Sequence, residues 1–335
     1  MKQPEPLVTI VITARNRPDE LSNTLKILRL QTYPNIEMLV IDDASDEPLE
    51  PVVRDIWPEA SVYRNAQNLG LIASRSLSFK LAKGDFIASL DDDSYFMDPT
   101  DLKKAVLRFE QERDLGILTF QVLVSRDPAP GPVQRHGNRY SHIFFGCAHM
   151  MRREVQREVG GYCDFFFYYI EEAEYSMRVI QKGWKIYYFT DIVVQHHVSP
   201  VDRSHAKILR YCTRNGLWLV FMRFPLSRIP AELIWRLTQL TMRGLREGCM
   251  EAVLHGICEA AGGLPGVLRL REPLDSAAMR QYELLRLGLI VRREDFETQQ
   301  HGLFRSAIRR IIHGLTTGRD LKLLNRSPRD QRPRA

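Results

Sequence analysis

Apolar runs and segments with helical periodicity alternate along the first 120 residues of the chain. Four of the runs are almost continuously apolar, which is typical of strands that are buried on both faces of a sheet. They are residues 8–12, 36–41, 86–90 and 117–124. Between the runs, apolar residues recur at helical spacing, as in the segment that begins at Pro18 and carries Leu21, Leu25 and Leu28 on one face. This alternation predicts an α/β fold in which helices cover both faces of a parallel sheet.

The rest of the chain follows a different pattern. Residues 125–140 are rich in proline, glycine and polar side chains and are predicted to form a loop. Short helix-like and strand-like segments return between residues 154 and 197, and beyond Pro200 the pattern becomes mainly helical. We expect a break in the helical pattern at residues 262–265, where the sequence is GGLP. The sequence thus predicts a helical C-terminal extension.

Two acidic clusters follow predicted strands, which is where ligands bind in sheets of this kind. Asp42 and Asp43 end the second strand, and the triplet of residues 91–93 follows the strand FIASL. Two positions apart, Asp91 and Asp93 can share one divalent cation, and Mg²⁺ and Mn²⁺ both take oxygen ligands. For the pair Asp42-Asp43, taken alone, two interpretations fit equally well: a carboxylate that accepts a hydrogen bond from a ribose or base, and an Asx turn with Ser45. A nicotinamide cofactor is not supported, because no GxGxxG follows the first strand.

Charge and cysteine content narrow the class of protein. The net charge is +6, but residues 301–335 hold nine Lys/Arg against Asp320 and Asp330, so the other 300 residues carry a formal charge of about −1. Five cysteines without a CxxC pair argue against a disulfide framework and suit a reducing cytoplasm. The N-terminus lacks an export-signal pattern, and the apolar run at residues 217–222 is far shorter than the roughly 20 residues of a membrane span. We therefore predict a cytoplasmic protein that does not span a membrane.

Several sequence blocks carry a specific resemblance. The runs VTIVITARNRPDELSNTL, LVIDDASDEP and RNAQNLGLIASRS, with KGDFIASLDDDS after them, resemble the donor half of family-2 inverting glycosyltransferases. The run FFGCAHMMRREVQREVGGYCDFFFYYIEEAEYSMRVIQKGWKIYYFTDIVVQHH is similar to the acceptor half. The resemblance implies a Rossmann-like nucleotide-diphospho-sugar transferase fold. The expected catalytic domain is residues 1–225, with a donor half to about 125 and an acceptor half over 126–225, and residues 226–335 form the helical extension.

The resemblance also implies which residues bind the nucleotide. In the family, the loop after the first strand and the acid that ends the second clasp the nucleoside, and these positions are Thr13, Arg15 and Asp43. Arg15 stands where the family often has an aromatic residue, and a guanidinium can also stack on a base. Asn68 and Arg75 match a stretch where a basic residue faces the diphosphate. A surface position on a helix is the alternative for Arg75.

A metal site is implied at the acidic triplet. Asp91 and Asp93 match the metal-binding acids of the family, and Asp92 between them belongs to the nucleotide-binding set. His196, at the end of the strand IVVQHH, completes the metal or diphosphate site in many relatives, although a structural role is an equal alternative. The implied cofactor is Mg²⁺ or Mn²⁺.

The catalytic base is implied by the frame YIEEAEYSMR. Its second acid, Glu172, aligns with the family's general base, while Glu174 is a close competitor two positions later. The structural alternative for Glu172 is that it stands at a helix N-terminus, where acidic residues are favoured by the helix dipole. Gly146 matches the family's glycine-rich acceptor loop. One base opposite the leaving group implies a single displacement with inversion.

Two other functions compete with glycosyl transfer: a nucleotidyltransferase and a non-catalytic relative that binds a sugar nucleotide. The arginine-rich segment TARNRPDE has no glycines, which disfavours the first. By resemblance the donor is a UDP or dTDP sugar, with a rhamnose-type transfer as one candidate, and the acceptor is a glycan, lipid-linked or other hydroxyl. Homo-oligomerisation is left open by the sequence.

The basic tail has its own pattern. Residues 303–315 place apolar side chains at helical spacing, with Arg305, Arg309 and Arg310 on the remainder. Such a helix can lie at the inner face of an anionic membrane, and packing on the protein body is the alternative. Binding to nucleic acid is not expected, since aromatic residues do not alternate with the basic ones.

Overall fold

The computed structural model describes residues 5–124, 133, 136–197 and 204–298. The strands in this part of the chain are β1 (Val8–Ala14), β2 (Ile36–Asp42), β3 (Ser61–Arg64), β4 (Phe86–Asp91), β5 (Ser94–Phe96), β6 (Leu115–Val124), β7 (Arg139–Ser141), β8 (Ala148–Arg152) and β9 (Lys185–His196). The α-helices are α1 (Pro18–Leu28), α2 (Glu50–Ile56), α3 (Leu71–Leu81), α4 (Asp101–Glu110), α5 (Arg153–Val159), α6 (Glu171–Gln181), α7 (His205–Arg223), α8 (Ile229–Glu247), α9 (Met250–Arg269), α10 (Ser276–Arg286) and α11 (Arg293–Thr298).

All described strands join one sheet. Its order is β3-β2-β1-β4-β8-β6-β9-β5, and β7 also pairs with β9. Strands β1 to β4 are mutually parallel, as is the pair β6–β9, so the predicted α/β class with a mostly parallel sheet is confirmed. Strand β8 runs antiparallel to both of its neighbours, β4 and β6. The sequence did not predict this reversal. Among the described residues between β6 and β8 there is β7 but no helix, and a parallel return would need a crossover connection.

Side chains from alternate positions of each strand enter two separate cores. On β1, Ile10 and Ile12 pack into a cluster with α1 and α4, whereas Val11 packs into a second cluster with α3 and α6. Because successive strand residues face opposite sides, the two clusters lie on the two faces of the sheet. The leucines predicted for the buried face of α1 are fully buried there. Each such side chain contributes about 1.5–3 kcal/mol relative to an exposed one.

The C-terminal helices join the second cluster. Trp218 of α7, Ala260 of α9 and Tyr282 of α10 all belong to it, so these helices extend the core on one face of the sheet. Helix α9 continues through residues 262–265, so the predicted helix break is wrong. A Cβ at Gly263 would collide with the Trp218 indole, whose Nε1 donates to the Ala260 carbonyl at 3.0 Å. Tertiary packing against α7 therefore overrides the poor helical propensity of this segment.

No helix within the described residues is both long enough and apolar enough to cross a membrane. Most of the predicted loop at residues 125–140 and the whole basic tail at 301–335 lie outside the described part of the chain.

Candidate functional site

The carboxyl ends of β1, β2 and β4 meet at one edge of the sheet. The strand register pairs Thr13 with Asp91 and Ala14 with Asp42, which brings the loops after these strands together. A pocket of about 370 Å³ opens there. Its lining contains the predicted nucleotide-binding residues other than Arg75, together with unpredicted neighbours from three loops and from α7. The lining residues are Thr13, Ala14, Arg15, Asn16, Arg17, Asp43, Asn68, Gly70, Leu71, Asp91, Asp92, Phe167, Tyr168 and Lys207.

Asp91, Asp93 and His196 form a compact cluster beside this pocket. Each offers one ligand atom, and these atoms lie within 4.8 Å of one another. The Nε2 atom of His196 is 3.0 Å from Asp93 Oδ1 and 3.9 Å from Asp91 Oδ2. Antiparallel pairing of β5 with β9, in which Ser94 is opposite His196, brings the histidine to the acidic turn. Two carboxylate oxygens and one imidazole nitrogen form a donor set that fits a divalent cation.

Two arginines orient these carboxylates. Arg75 contacts Asp91 through Oδ1, and Arg17 lies 2.6 Å from Asp93 Oδ2 and 2.5 Å from Asp92 Oδ1. Asp91 and Asp93 therefore each use one oxygen on an arginine and direct the other toward His196. Arg17 was not among the predicted site residues, although it lies two positions after Arg15 in the segment TARNRPDE.

The pKa values of Asp92 and Asp93 are shifted in opposite directions. Burial alone would raise the pKa of Asp93, but the hydrogen bond with His196 and the Arg17 guanidinium outweigh it and hold that pKa below its usual range. For Asp92 burial dominates, and its pKa is raised well above the usual value despite the Arg17 charge. The Asp93 carboxylate is thus ionised and available as a ligand at neutral pH.

Besides lining the pocket, Asp43 supports the turn that follows β3. It is buried and accepts hydrogen bonds from the backbone N–H groups of Leu69 and Gly70, both at 2.9 Å, and from Asn65 Nδ2 at 2.8 Å. Asn68 Oδ1 also accepts from Gly70 N, at 3.0 Å. These bonds hold the turn that precedes α3, where Gly70 has φ +84°. The Asx turn to Ser45, which was the alternative for the pair, is made by Asp42.

Arg75 lies at the centre of the site. Its side chain is 3% exposed, so it is not the surface residue considered as an alternative. Besides contacting Asp91, its Nη1 atom lies 3.9 Å from both Glu171 Oε1 and Glu172 Oε1. A Cβ at Gly146 would collide with Arg75 and Glu172, so this glycine allows the backbone to approach both groups closely. The predicted diphosphate residue therefore links the acidic triplet to the predicted base.

The acids at the start of α6 have distinct environments. Glu172 is 22% exposed, and burial raises its pKa although the Arg75 guanidinium partly opposes the shift. Glu171 is more deeply buried, and burial together with the Glu172 carboxylate raises its pKa. Glu174 is fully buried in ion pairs with Arg178 at 2.7 Å and Arg223 at 2.6 Å. Glu172 thus lies beside Arg75, whereas Glu174 is bound within the protein interior.

Aromatic and basic residues at the pocket were missed by the sequence analysis. Phe167 and Tyr168 come from the run FFFYY, which Ile170 separates from α6, and Lys207 comes from the first turn of α7. The aromatic run is visible in the sequence, but its spacing matches neither a strand nor an amphipathic helix. Its position at the pocket depends on a loop conformation that a hydrophobic pattern does not encode.

Comparison with known proteins assigns this architecture to a family. The model described as glycosyl transferase family 2 matches residues 9–177, about half of the chain. The glucosyl-dolichyl phosphate glucuronosyltransferase of Haloferax volcanii is 25% identical over 246 residues, which are 65% of this chain and 73% of that protein. The Escherichia coli UDP-Glc:alpha-D-GlcNAc-diphosphoundecaprenol beta-1,3-glucosyltransferase WfaP is 34% identical over 92 residues, 27% of this chain and 37% of WfaP.

A solved structure shares the fold. The mannosyltransferase PcManGT of Pyrobaculum calidifontis, solved with GDP-Man and Mn²⁺, superposes with a TM-score of 0.54 at 14% identity. The alignment covers 78% of this chain and 76% of PcManGT. At this identity the likeness shows the fold alone. The family assignment comes from the match of residues 9–177 to the family model. The chain belongs to glycosyl transferase family 2.

Proposed function

We propose that this chain transfers a glycosyl residue from a nucleotide diphosphate sugar to an acceptor hydroxyl, with inversion at the anomeric carbon. The observation that carries the proposal is the position of Arg75. It contacts Asp91 of the cation-binding cluster and lies 3.9 Å from Glu172, the candidate base. Groups that stabilise a leaving diphosphate and a group that accepts a proton are therefore adjacent in one site.

The donor is proposed to occupy the pocket at the sheet edge. Thr13 and Arg15 line the end where the nucleoside would lie, and Asp43 keeps the turn of Asn68 and Gly70 in place. Asp91, Asp93 and His196 would hold the divalent cation, which when bound stabilises negative charge on the leaving diphosphate as a Lewis acid. The imidazole nitrogen in the donor set favours Mn²⁺ over Mg²⁺.

Glu172 is proposed as the general base. As the acceptor oxygen bonds to the anomeric carbon, the bond from that carbon to the diphosphate oxygen breaks, and the acceptor proton passes to Glu172. A carboxylate with a raised pKa is a stronger base than an exposed one, and the shift of Glu172 is in this direction. One displacement with one base inverts the configuration and requires no sugar–enzyme intermediate.

Relatives guide the choice of substrates. The name of WfaP specifies a UDP-glucose donor and a diphosphoundecaprenol-linked acceptor, and that of the Haloferax volcanii enzyme specifies glucosyl-dolichyl phosphate. We propose a UDP or dTDP sugar as donor and a lipid-linked sugar hydroxyl as acceptor for this chain.

Calorimetric titration tests the donor site. We expect UDP or dTDP to bind in the presence of Mn²⁺ and to lose at least tenfold in affinity in EDTA. Asp91→Asn should abolish the Mn²⁺ effect, whereas the control Asp55→Asn, which alters an exposed carboxylate on α2, should keep it. Binding that is independent of Mn²⁺ in the wild-type protein would contradict the cation site.

Product analysis tests the reaction. With a panel of nucleotide sugars and a synthetic polyprenyl-diphosphate sugar, we expect release of the nucleoside diphosphate and a product of inverted anomeric configuration by NMR. Release of pyrophosphate would indicate nucleotidyl transfer instead. Tight Mn²⁺-dependent donor binding without turnover across the panel would favour the non-catalytic alternative.

A further inference from the structure

The segment between the pocket and Glu171 has an unusual backbone. Phe167, Tyr169 and Ile170 all have positive φ angles, of 64°, 68° and 73°. For residues with a Cβ, each such conformation is strained and persists only where surrounding groups enforce it. The segment over residues 164–170, which we call the aromatic loop, therefore needs external support.

Asn215 supplies that support from α7. Its side chain is fully buried, and its Nδ2 atom lies 3.1, 2.7 and 2.9 Å from the carbonyl oxygens of Phe166, Tyr168 and Tyr169. Its Oδ1 accepts a hydrogen bond from Arg214 Nε at 2.9 Å. The two N–H groups of this amide thus lie closest to the Tyr168 and Tyr169 carbonyls, whereas the more distant Phe166 carbonyl also accepts from Tyr168 N at 2.7 Å.

Neighbours of Asn215 on α7 strengthen the same attachment. Arg214 donates from Nη2 to the Phe166 carbonyl at 2.7 Å and lies over the Trp218 ring at 4.5 Å. The Trp218 ring in turn packs on Phe165, with centroids 4.7 Å apart. The aromatic loop is therefore fastened to one face of α7 over a full helical turn.

The aromatic loop adjoins both the donor pocket and the start of α6. Phe167 and Tyr168 line the donor pocket. Ile170 immediately precedes α6, whose second residue, Glu172, lies 3.9 Å from Arg75. We propose that Asn215 is a positioning residue, which holds the aromatic loop in the conformation that directs Glu172 toward Arg75. The kinetic part of this inference rests on the proposed role of Glu172.

Hydrogen exchange tests the structural part independently of any activity. In Asn215→Ala, amide exchange across residues 164–172 should accelerate at least tenfold, because the carbonyls lose their shared donor. The matched control is Thr213→Val on the same helix, which removes a buried hydrogen bond to Leu209 at 2.7 Å but does not touch the loop. Equal exchange of residues 164–172 in the two variants would overturn the inference. If Asn215→Ala does not fold, Asn215→Ser, which retains a shorter donor, takes its place.

Kinetics test the positioning role. With the donor and acceptor identified in the transfer assay, we expect kcat to fall 10- to 100-fold in Asn215→Ala, while Mn²⁺-dependent UDP affinity changes less than fivefold. Asn215→Ser should recover part of kcat, and Thr213→Val should retain it despite a comparable drop in Tm. Faster loop exchange with unchanged kcat would overturn the proposal. Loss of kcat in Thr213→Val equal to that in Asn215→Ala would also overturn it.

Without a transfer assay, the site itself supplies the readout. The pKa of Glu172, measured by NMR of the labelled carboxyl group, should shift in Asn215→Ala and not in Thr213→Val, because the distance of Glu172 from Arg75 changes. An unchanged Glu172 pKa together with faster loop exchange would show that the loop does not position this carboxyl group. This arm separates failure of the inference from failure of the proposed reaction.

Discussion

At the scale of single residues, each of the two ligand carboxylates, Asp91 and Asp93, lies between an arginine and His196. Arg17 and Arg75 each occupy one oxygen of a ligand acid and leave the other directed at His196. This arrangement orients both ligand acids, and the Arg17 and His196 contacts outweigh burial and lower the pKa of Asp93, which keeps that carboxylate ionised. The sequence predicted the acids from their position after a strand. It did not predict Arg17, because a salt bridge between residues 75 positions apart leaves no local periodicity.

Replacing each candidate base by glutamine should distinguish them, because one substitution should lower kcat and the other should lower stability. Glu172→Gln should lower kcat by at least 100-fold while UDP affinity stays within fivefold, since the carboxylate acts on the acceptor proton. Glu174→Gln should instead reduce the free energy of unfolding by roughly 3 kcal/mol, because it leaves Arg178 and Arg223 buried without their shared acid. Steady-state kinetics and urea denaturation measure the two effects. Normal kcat in Glu172→Gln with loss in Glu174→Gln would transfer the base to Glu174.

Activity should also depend on pH through Glu172. Burial raises its pKa, and the base works only when ionised, so kcat should rise with pH through that raised pKa and level off above it. The acid limb should disappear from the residual activity of Glu172→Gln.

Glu171 should make the stability of the protein, rather than its activity, depend on pH. Burial and the Glu172 carboxylate raise its pKa in the folded state, so the folded protein binds the proton more tightly than the unfolded chain does. Stability should therefore fall as the pH rises above the unfolded value of about 4.5. Glu171→Gln removes this charge and should raise the free energy of unfolding by about 1–2 kcal/mol at pH 8 in EDTA, with little gain at pH 5. Urea denaturation at both pH values checks this, and a variant less stable than wild type at pH 8 would contradict it.

At the scale of elements, the hydrophobic pattern located the strands of the donor half well. The apolar runs at residues 8–12, 36–41 and 86–90 lie within β1, β2 and β4, and the ends of these strands define the pocket. The pattern did not show that β8 runs antiparallel or that α9 continues through GGLP. Both depend on partners distant in the chain: β4 and β6 for the first, and α7 for the second.

Two adjacent glycines of α9 test whether this helix packs on α7. Gly262 has open space at its Cβ position, so Gly262→Ala should stabilise the protein by roughly 0.5–1 kcal/mol through helix propensity. At the adjacent Gly263 a Cβ would collide with Trp218, so Gly263→Ala should destabilise the protein by about 1–3 kcal/mol despite the same gain in propensity. Thermal and urea unfolding measure both changes. Equal effects of the two substitutions would show that α9 does not pack on Trp218 in solution.

At the scale of the whole molecule, the net positive charge is concentrated in a segment outside the described part of the chain. Residues 301–335 contain nine of the 47 Lys/Arg, while the other 300 residues are close to neutral. A protein that acts on a lipid-linked acceptor, as proposed above, must reach a membrane surface. The sequence pattern of residues 303–315 predicts peripheral binding as the means.

Deleting residues 302–335 tests this last prediction. Each basic residue near an anionic surface contributes roughly 1 kcal/mol, so Arg305, Arg309 and Arg310 could together supply a few kcal/mol at low salt. We expect the full chain to sediment with vesicles that contain phosphatidylglycerol at low ionic strength, and to be released by about 0.5 M salt, because screening weakens exposed charge pairs. The truncated chain should not sediment, yet should keep its Mn²⁺-dependent UDP affinity and its transfer to a water-soluble acceptor. Full-length protein that ignores such vesicles at low salt would contradict membrane binding, and residues 303–315 would then be expected to pack on the protein body or on a second subunit.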